Sequence, residues 1–401
     1  MKGLRKALFW CHLAAGSAAG AVILTMCATG VLLALQPLVL GVVEGTRSGS
    51  RAAGPGAAAT LGPGTLLRLA SAVSPGAAPT SVRIAADPAE TAAVAFGRES
   101  AIFLDRSTGV FVGRSAARWR AFFGKVQDVH RWLALPEADR SAGRAVTGAA
   151  NVAFLGLALS GLYIWWPKLR GIRRIASVGL FGRGLRGKAR DFNWHNVLGV
   201  WSAGILAVIT VTALPMSYRW ANDLVYRFAG GEPPPGNAGE RGSRDARPVT
   251  EAEAARLDRL WETAAGRSPG WKAITMRAPS GRGPVAFTIE EGGYANRFAR
   301  SALALDPDTG AAVRWEPYSG ASGGRRARSW MRFLHTGEAL GPAGQIAAGA
   351  ASLSGVLLAI TGISLALRRL SSFRARRRAA TLETPSNSNE IELARAKGAT
   401  S

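Results

Sequence analysis

Hydrophobic and polar positions along this chain fall into four long runs without Lys, Arg, Asp or Glu, separated by stretches of shorter-period pattern. The runs are Ala7 to Val43, Ala145 to Pro167, Asn193 to Pro215 and Ala339 to Leu367. About 20 apolar residues suffice to cross a bilayer as a helix, so each run predicts one span. The first is too long for a cleaved signal peptide and predicts an uncleaved helix over roughly residues 8 to 36, ended near Pro37. Between spans the pattern changes to a short helix, TLLRLASAV, and strand-like segments SVRIAA, TAAVAFG, SAIFLD and GVFVG. The same order returns later as TEAEAARLDRLWETAAG followed by WKAITMRA, GPVAFTIE, RSALALD and GAAVRWE. In each set the last two strands are joined by Asp-x-x-Thr-Gly, at 105 to 109 and 306 to 310, a turn signal.

The expected fold is therefore a membrane α-helical protein: a four-helix transmembrane bundle carrying two α+β lobes, with the halves related by internal duplication. The expected layout is a first span over 1–36, a lobe over 37–126, the His130 segment and second span over 127–167, and a basic loop over 168–191. A third span over 192–216, a second lobe over 217–333, the His335 segment and fourth span over 334–368, and a basic tail over 369–401 complete it. Both halves start on the same side, which implies an axis along the membrane normal.

Charge orients this arrangement. With 50 Lys and Arg against 26 Asp and Glu, the net charge of +24 would suggest nucleic acid if spread over a soluble domain. Instead it is concentrated beside the spans: Lys168 to Arg190 holds eight basic residues and no acid, and Arg368, Arg369, Arg374 and Arg376 to Arg378 follow the fourth run. The positive-inside rule places those segments and both termini in the cytoplasm of a bacterial inner-membrane protein, with both lobes periplasmic. Nucleic acid is not an expected partner; the lipid bilayer is. Trp165 and Trp166 read as interfacial anchors of the second span. Cys11 and Cys27 lie within one apolar run and no C-x-x-C-H is present, so neither a disulfide framework nor covalent haem attachment is expected.

All four histidines mark membrane segments: His12 and His195 open the first and third spans, while His130 and His335 precede the second and fourth. An ionisable side chain at such a place is costly without a partner. Topology puts His12 with His195 near the cytoplasmic face and His130 with His335 near the periplasmic face. Two imidazoles facing across a bundle are a natural axial pair for haem b, so two haems are the expected cofactors. Zinc or copper fits less well because no carboxylate or thiolate accompanies the outer pair, and a proton relay would usually recruit acids that these spans lack. His130 lies fourteen residues before Arg144, so its segment must fold back, with Pro136 as the expected bend. No G-x-S-x-G, H-E-x-x-H or Walker A motif occurs, and no catalytic side chain is assigned.

These residues resemble the PepSY-associated transmembrane family. The resemblance rests on Asp128-Val-His-Arg-Trp, Asn193-Trp-His-Asn-Val-Leu-Gly, Leu334-His-Thr-Gly, the Thr-Gly pairs at 29/30 and 361/362, Trp165-Trp166-Pro167 and the two Asp-x-x-Thr-Gly turns. It covers His12 to Arg369. It implies a four-span bundle with two periplasmic PepSY lobes and, in members similar to ferric-siderophore reductases, two haems on histidines matched here by His12, His130, His195 and His335. Thr212-Ala213 and Ser160 depart from the family's Thr-Gly and Thr, which is expected to bear on helix packing.

Three functions compete. The first is a di-haem reductase moving electrons from a cytoplasmic or quinone donor to a periplasmic acceptor such as a ferric siderophore. The second is a non-redox PepSY protein with a binding or regulatory role, and the third an electron-transfer subunit for a separate periplasmic enzyme. Arg325, Arg326, Arg328 and Arg332 are candidate contacts for an anionic acceptor, against the alternative of a solvated or headgroup-facing cluster.

Overall fold

The computed structural model describes residues 2–45, 60–97, 99–165, 179–233, 249–279, 281, 283–292 and 298–382. Half of the expected basic loop, with Trp166 and Pro167, and the end of the tail lie outside them. Nine α-helices are found among the described residues: α1 Lys2–Gly45, α2 Pro63–Val73, α3 Ala117–Trp132, α4 Arg140–Trp165, α5 Gly187–Ser217, α6 Arg219–Ala229, α7 Glu251–Gly266, α8 Gly323–Thr336 and α9 Gly341–Leu382. The strands are β1 Ser81–Ala85, β2 Ala92–Phe96, β3 Ser100–Leu104, β4 Phe111–Arg114, β5 Ala273–Arg277, β6 Val285–Glu290, β7 Arg300–Leu305 and β8 Ala312–Glu316.

Four helical segments, containing α1, α4, α5 and α9, are long and apolar enough to cross a membrane. In hydrocarbon a helix is the one single-segment structure that satisfies its own backbone, so uninterrupted apolar runs of this length take that form. α1 does not end near Pro37. It runs through that proline to Gly45, because neighbouring helices in a membrane re-satisfy the carbonyl a proline leaves free. Just beyond the chargeless run, Glu44 accepts two hydrogen bonds of 2.6 Å from the Arg120 guanidinium and one from the Ala116 amide, fixing the start of α3.

The chain divides into two compact units. One comprises Met1–Cys27, Ala150–Ala207 and Leu353–Ser401, and its described residues are mostly parts of α1, α4, α5 and α9, without strands. Small residues let its helices approach closely. Ile23, Cys27 and Ala150 are buried at one such crossing, and a Cβ on Gly355 would stand 2.6 Å from the Cys27 sulfur.

The other unit, Ala28–Ala149 and Val208–Ser352, contains all the strands. The two sets of four strands expected to form separate lobes join in one antiparallel sheet of order β4-β3-β2-β1-β5-β6-β7-β8. β1 pairs with β5 from Ser81↔Arg277 to Ala85↔Ala273, and Glu290 of β6 ties Arg83 of β1 to Arg300 of β7. Period-two alternation turns Val82, Ile84, Val94, Ile274, Met276, Phe287 and Leu303 to one face, where Leu66 and Leu67 of α2 and Leu257 and Leu260 of α7 cover them. Burying each such side chain stabilises the fold by about 1.5–3 kcal/mol. α2 and α7 cross where Gly64 meets the Ala254 carbonyl, and Asp258 of α7 caps α2 by accepting from the Gly64 amide at 2.6 Å and the Thr65 hydroxyl at 2.7 Å.

The two Asp-x-x-Thr-Gly turns are built alike. Asp105 Oδ1 accepts from the amides of Ser107 and Thr108, and Asp306 Oδ1 from those of Asp308 and Thr309, while Gly109 and Gly310 take the left-handed conformation at φ 72° and 70°. The Ser107 hydroxyl, followed by the Thr108 amide, holds the Asp105 carboxyl down at about 2.

Candidate functional site: two histidine pairs

α3 and α8 each carry a histidine in their last turn and each end in a left-handed reversal that leads toward a span. After His130 the reversal is made by Leu133 and Ala134, at φ 55° and 57°, rather than by Pro136, which opens the next short turn. After His335 it is made by Gly337 at φ 76°. Glycines let the chain close on itself at both places: Gly143 packs against the Trp132 carbonyl, and Gly344 against that of Gly337. In this way the amphipathic helices fold back and deliver imidazoles among the spans.

The structure brings the four histidines together in twos. In the helical unit the ring centroids of His12 and His195 are 6.4 Å apart with the planes at 82°. In the sheet-bearing unit those of His130 and His335 are also 6.4 Å apart, at 57°.

Each ring has its Nδ1 within hydrogen-bond reach of an oxygen. That of His12 lies 2.9 Å from the Ser160 hydroxyl, that of His130 2.9 Å from Thr29, that of His195 3.0 Å from Thr361, and that of His335 2.9 Å from the Ile209 carbonyl. The chemistry of these partners fixes the proton. Ser160 donates its hydroxyl hydrogen to the Gly156 carbonyl at 2.6 Å and Thr361 donates its own to Leu357 at 2.7 Å. Toward the imidazole each can then only accept, as the Ile209 carbonyl must. His12, His195 and His335 therefore carry the proton on Nδ1 and present Nε2 as a bare lone pair, the form in which histidine ligates a metal.

The residue after each hydroxyl is a glycine, and that is where the ring passes. A Cβ on Gly161 would stand 3.4 Å from the His12 ring, on Gly362 3.3 Å from that of His195, and on Gly30 3.8 Å from that of His130. At the fourth position Thr212 turns its hydroxyl onto the carbonyls of Val208 and Ile209, and Ala213 stands in place of glycine. His335 takes the Ile209 carbonyl itself. The departure at Ser160 thus bears on His12 directly and that at Thr212 on His335 through the shared Ile209 carbonyl, which corrects their assignment to helix packing alone. Thr29, Ser160 and Thr361 are the site residues that sequence reasoning missed as such; the signal was their recurrence as Ser/Thr-Gly pairs.

The separation tests what the pairs could hold. Two imidazoles bound through Nε2 to one metal at ~2.0–2.1 Å would have their centroids roughly 6.3 Å apart. Both pairs are at 6.4 Å. Bare zinc needs three or four protein ligands, whereas porphyrin iron needs only the two axial ones. Among the described residues no group of three or more His, Cys, Asp or Glu converges to hold a metal ion. The donor set therefore fits haem better than a bare cation. Trp165, on the same face of α4 one turn beyond Gly161, is buried rather than an outward anchor, and its indole N–H has no partner among the described residues.

The arginines of α8 are engaged within the protein. Arg325 pairs with Glu316 at 2.8 Å, Arg326 donates to the Ser319 carbonyl and lies over Tyr318, and Arg328 donates to Asn222 at 3.1 Å. Arg332 lies 5.6 Å from the Phe333 ring centroid. Burial lowers the Arg328 guanidinium below its ordinary value.

Four bilayer-length apolar helices with polar side chains gathered at two points between them define a multi-pass membrane protein. The pattern of the PepSY-associated TM region matches residues 9–369, and the chain belongs to that family. No curated protein matches the chain.

Proposed function

We propose that the protein is a di-haem membrane oxidoreductase in which His12 and His195 would hold one haem b and His130 and His335 another. The observation that carries this reading is geometric. Two imidazole pairs stand at the separation that axial ligation demands, and in three of the four rings the proton is committed to Nδ1. Haem iron would supply one-electron transfer between its ferric and ferrous states. The chain's own residues do the rest. Ser160, Thr29 and Thr361 and the Ile209 carbonyl orient the rings, the glycines beside the hydroxyls make room for them, and the apolar helices exclude water.

One pair in each unit gives two stations, so electrons would enter from a cytoplasmic or quinone donor and leave to a periplasmic acceptor. A ferric siderophore suits that role: one electron turns its Fe(III) into Fe(II), which hard oxygen ligands hold less well, so the metal is released. The inner-membrane location, the inward termini and the duplicated origin of the two halves belong to the same proposal, supported by the basic segments beside the spans and by the matching order of elements in each half.

Protein purified from haem-replete cells is expected to give a b-type reduced-minus-oxidised spectrum with two haems per chain, and His195→Ala or His335→Ala to lose one each. Colourless wild-type protein would overturn the proposal and favour a non-redox binding role, and two haems retained in both variants would overturn the assignment of the histidines as ligands.

A further inference from the structure

The exposed face of α6 carries Trp220, Leu224 and Phe228, which are 59%, 42% and 84% exposed. Their spacing of four places them in one stripe along the helix. The opposite face is occupied: Ala221 and Tyr226 are buried, Tyr226 lies against Gly324, and Asn222 accepts from Arg328 of α8. One side of this short helix is thus seated on α8, while three large apolar side chains on the other stay largely exposed, with the Tyr218 ring 5.9 Å from that of Trp220.

Chain continuity says what lies opposite them. The α5 span ends at Ser217, and Tyr218 alone separates it from α6. Tyr218 is extended, at φ −123° and ψ 131°, so the helix axis breaks where the apolar run ends. A helix that starts at the mouth of a span begins in the interfacial layer of the bilayer. Exposed Arg219 and Arg227 stand near its two ends, four residues either side of Asp223, the one carboxylate on the helix, and within reach of lipid phosphates. A tryptophan at the span-proximal end suits the same zone, since its ring is apolar and its N–H is wet.

We propose that α6 is a membrane-interface helix, with Trp220, Leu224 and Phe228 immersed in the lipid headgroup and upper acyl layer and Arg219 and Arg227 on phosphates. Such helices bury an apolar face about 5–10 Å into that boundary. The bilayer then braces α6, and through α6 it braces α8, the helix that delivers His335.

The test uses the full chain with Cys11→Ser, reconstituted in nanodiscs of phosphatidylethanolamine and phosphatidylglycerol. Nitroxide labels are placed by Leu224→Cys and Phe228→Cys. Ile346→Cys on the α9 span serves as the lipid reference and Asp308→Cys in the sheet turn as the aqueous one. The expected result is an oxygen-to-nickel-chelate accessibility ratio several-fold above that at Asp308→Cys and close to that at Ile346→Cys. A chelate accessibility at 224 and 228 equal to the aqueous reference overturns the proposal, because the stripe is then in water. Immobile labels shielded from both reagents overturn it too, because a protein surface then covers the stripe.

Discussion

Replacing Thr361 by valine removes one hydroxyl and changes little else. The side chain is buried on α9, accepts from His195 Nδ1 at 3.0 Å and donates to the Leu357 carbonyl at 2.7 Å. Valine keeps the volume and branching but turns a methyl group toward the imidazole N–H. Leu357 loses little, since its carbonyl lies in mid-helix with a backbone partner of its own. The imidazole loses the Thr361 acceptor and keeps only the Leu358 carbonyl, so the loss costs at most the about 1–3 kcal/mol of an unmet buried donor. Since ~1.4 kcal/mol is a factor of ten, haem at the proposed His12–His195 site should bind up to roughly 5- to 150-fold more weakly. Titrating haem into apo-protein and following the Soret band should then show one equivalent weakened and the other, at His130 and His335, unchanged. The remaining haem of the altered pair should shift to higher potential, because an imidazole that no longer shares its N–H donates less to ferric iron. Thr361→Ser should restore both values. Two equivalents at wild-type affinity in Thr361→Val would refute the argument that hydroxyl acceptance sets the ligand.

Two further perturbations probe the scaffold. Gly355→Ala should destabilise the helical unit by about 1–3 kcal/mol, because its methyl meets Cys27 at 2.6 Å, and adding Cys27→Ala should recover most of the loss in a detergent denaturation series. The Asp105 carboxyl titrates at about 2, below its unfolded value of about 3.9. Its contribution to stability is therefore complete above about pH 4 to 5 and is lost as the pH falls toward 2. Asp105→Ala should shrink the acid-induced loss of stability across that window, and an unchanged pH profile would show that the turn does not carry it.

Much of the fold was legible because long patterns leave few alternatives. Chargeless runs of bilayer length marked α1, α4, α5 and α9. Alternation at Val82/Ile84 and Ile274/Met276 marked strands, and Asp-x-x-Thr-Gly marked the turns. The pairing of His12 with His195 and of His130 with His335 followed from membrane depth. Other features rest on tertiary choices that local pattern does not encode. β1 and β5 look like any half-buried strands, and nothing within SVRIA or AITMR says that each will pair with the other. Pro37 stops helices in water, but within α1 it does not. α6 goes unmarked within the expected second lobe because its eleven residues are too few to stand out as a span and Arg219, Asn222, Asp223 and Arg227 interrupt its apolar positions. Ser160 reads as a packing residue and Thr29 and Thr361 as halves of Thr-Gly pairs, since nothing in the local pattern says that such a hydroxyl meets a histidine far along the chain.

The seam between β1 and β5 has a consequence for how the protein is made. Ser81 leaves the ribosome roughly 190 residues before Ala273, a lag of about ten to forty seconds at ~5–20 residues per second. During that time β1 is an open edge of a half-built sheet, and two more spans have to be inserted before its neighbour arrives. Such an edge invites pairing with other chains. A gene cut between the halves should therefore yield two two-span pieces that aggregate through the open β1 and β5 edges when made separately and that recover a monodisperse form when made together.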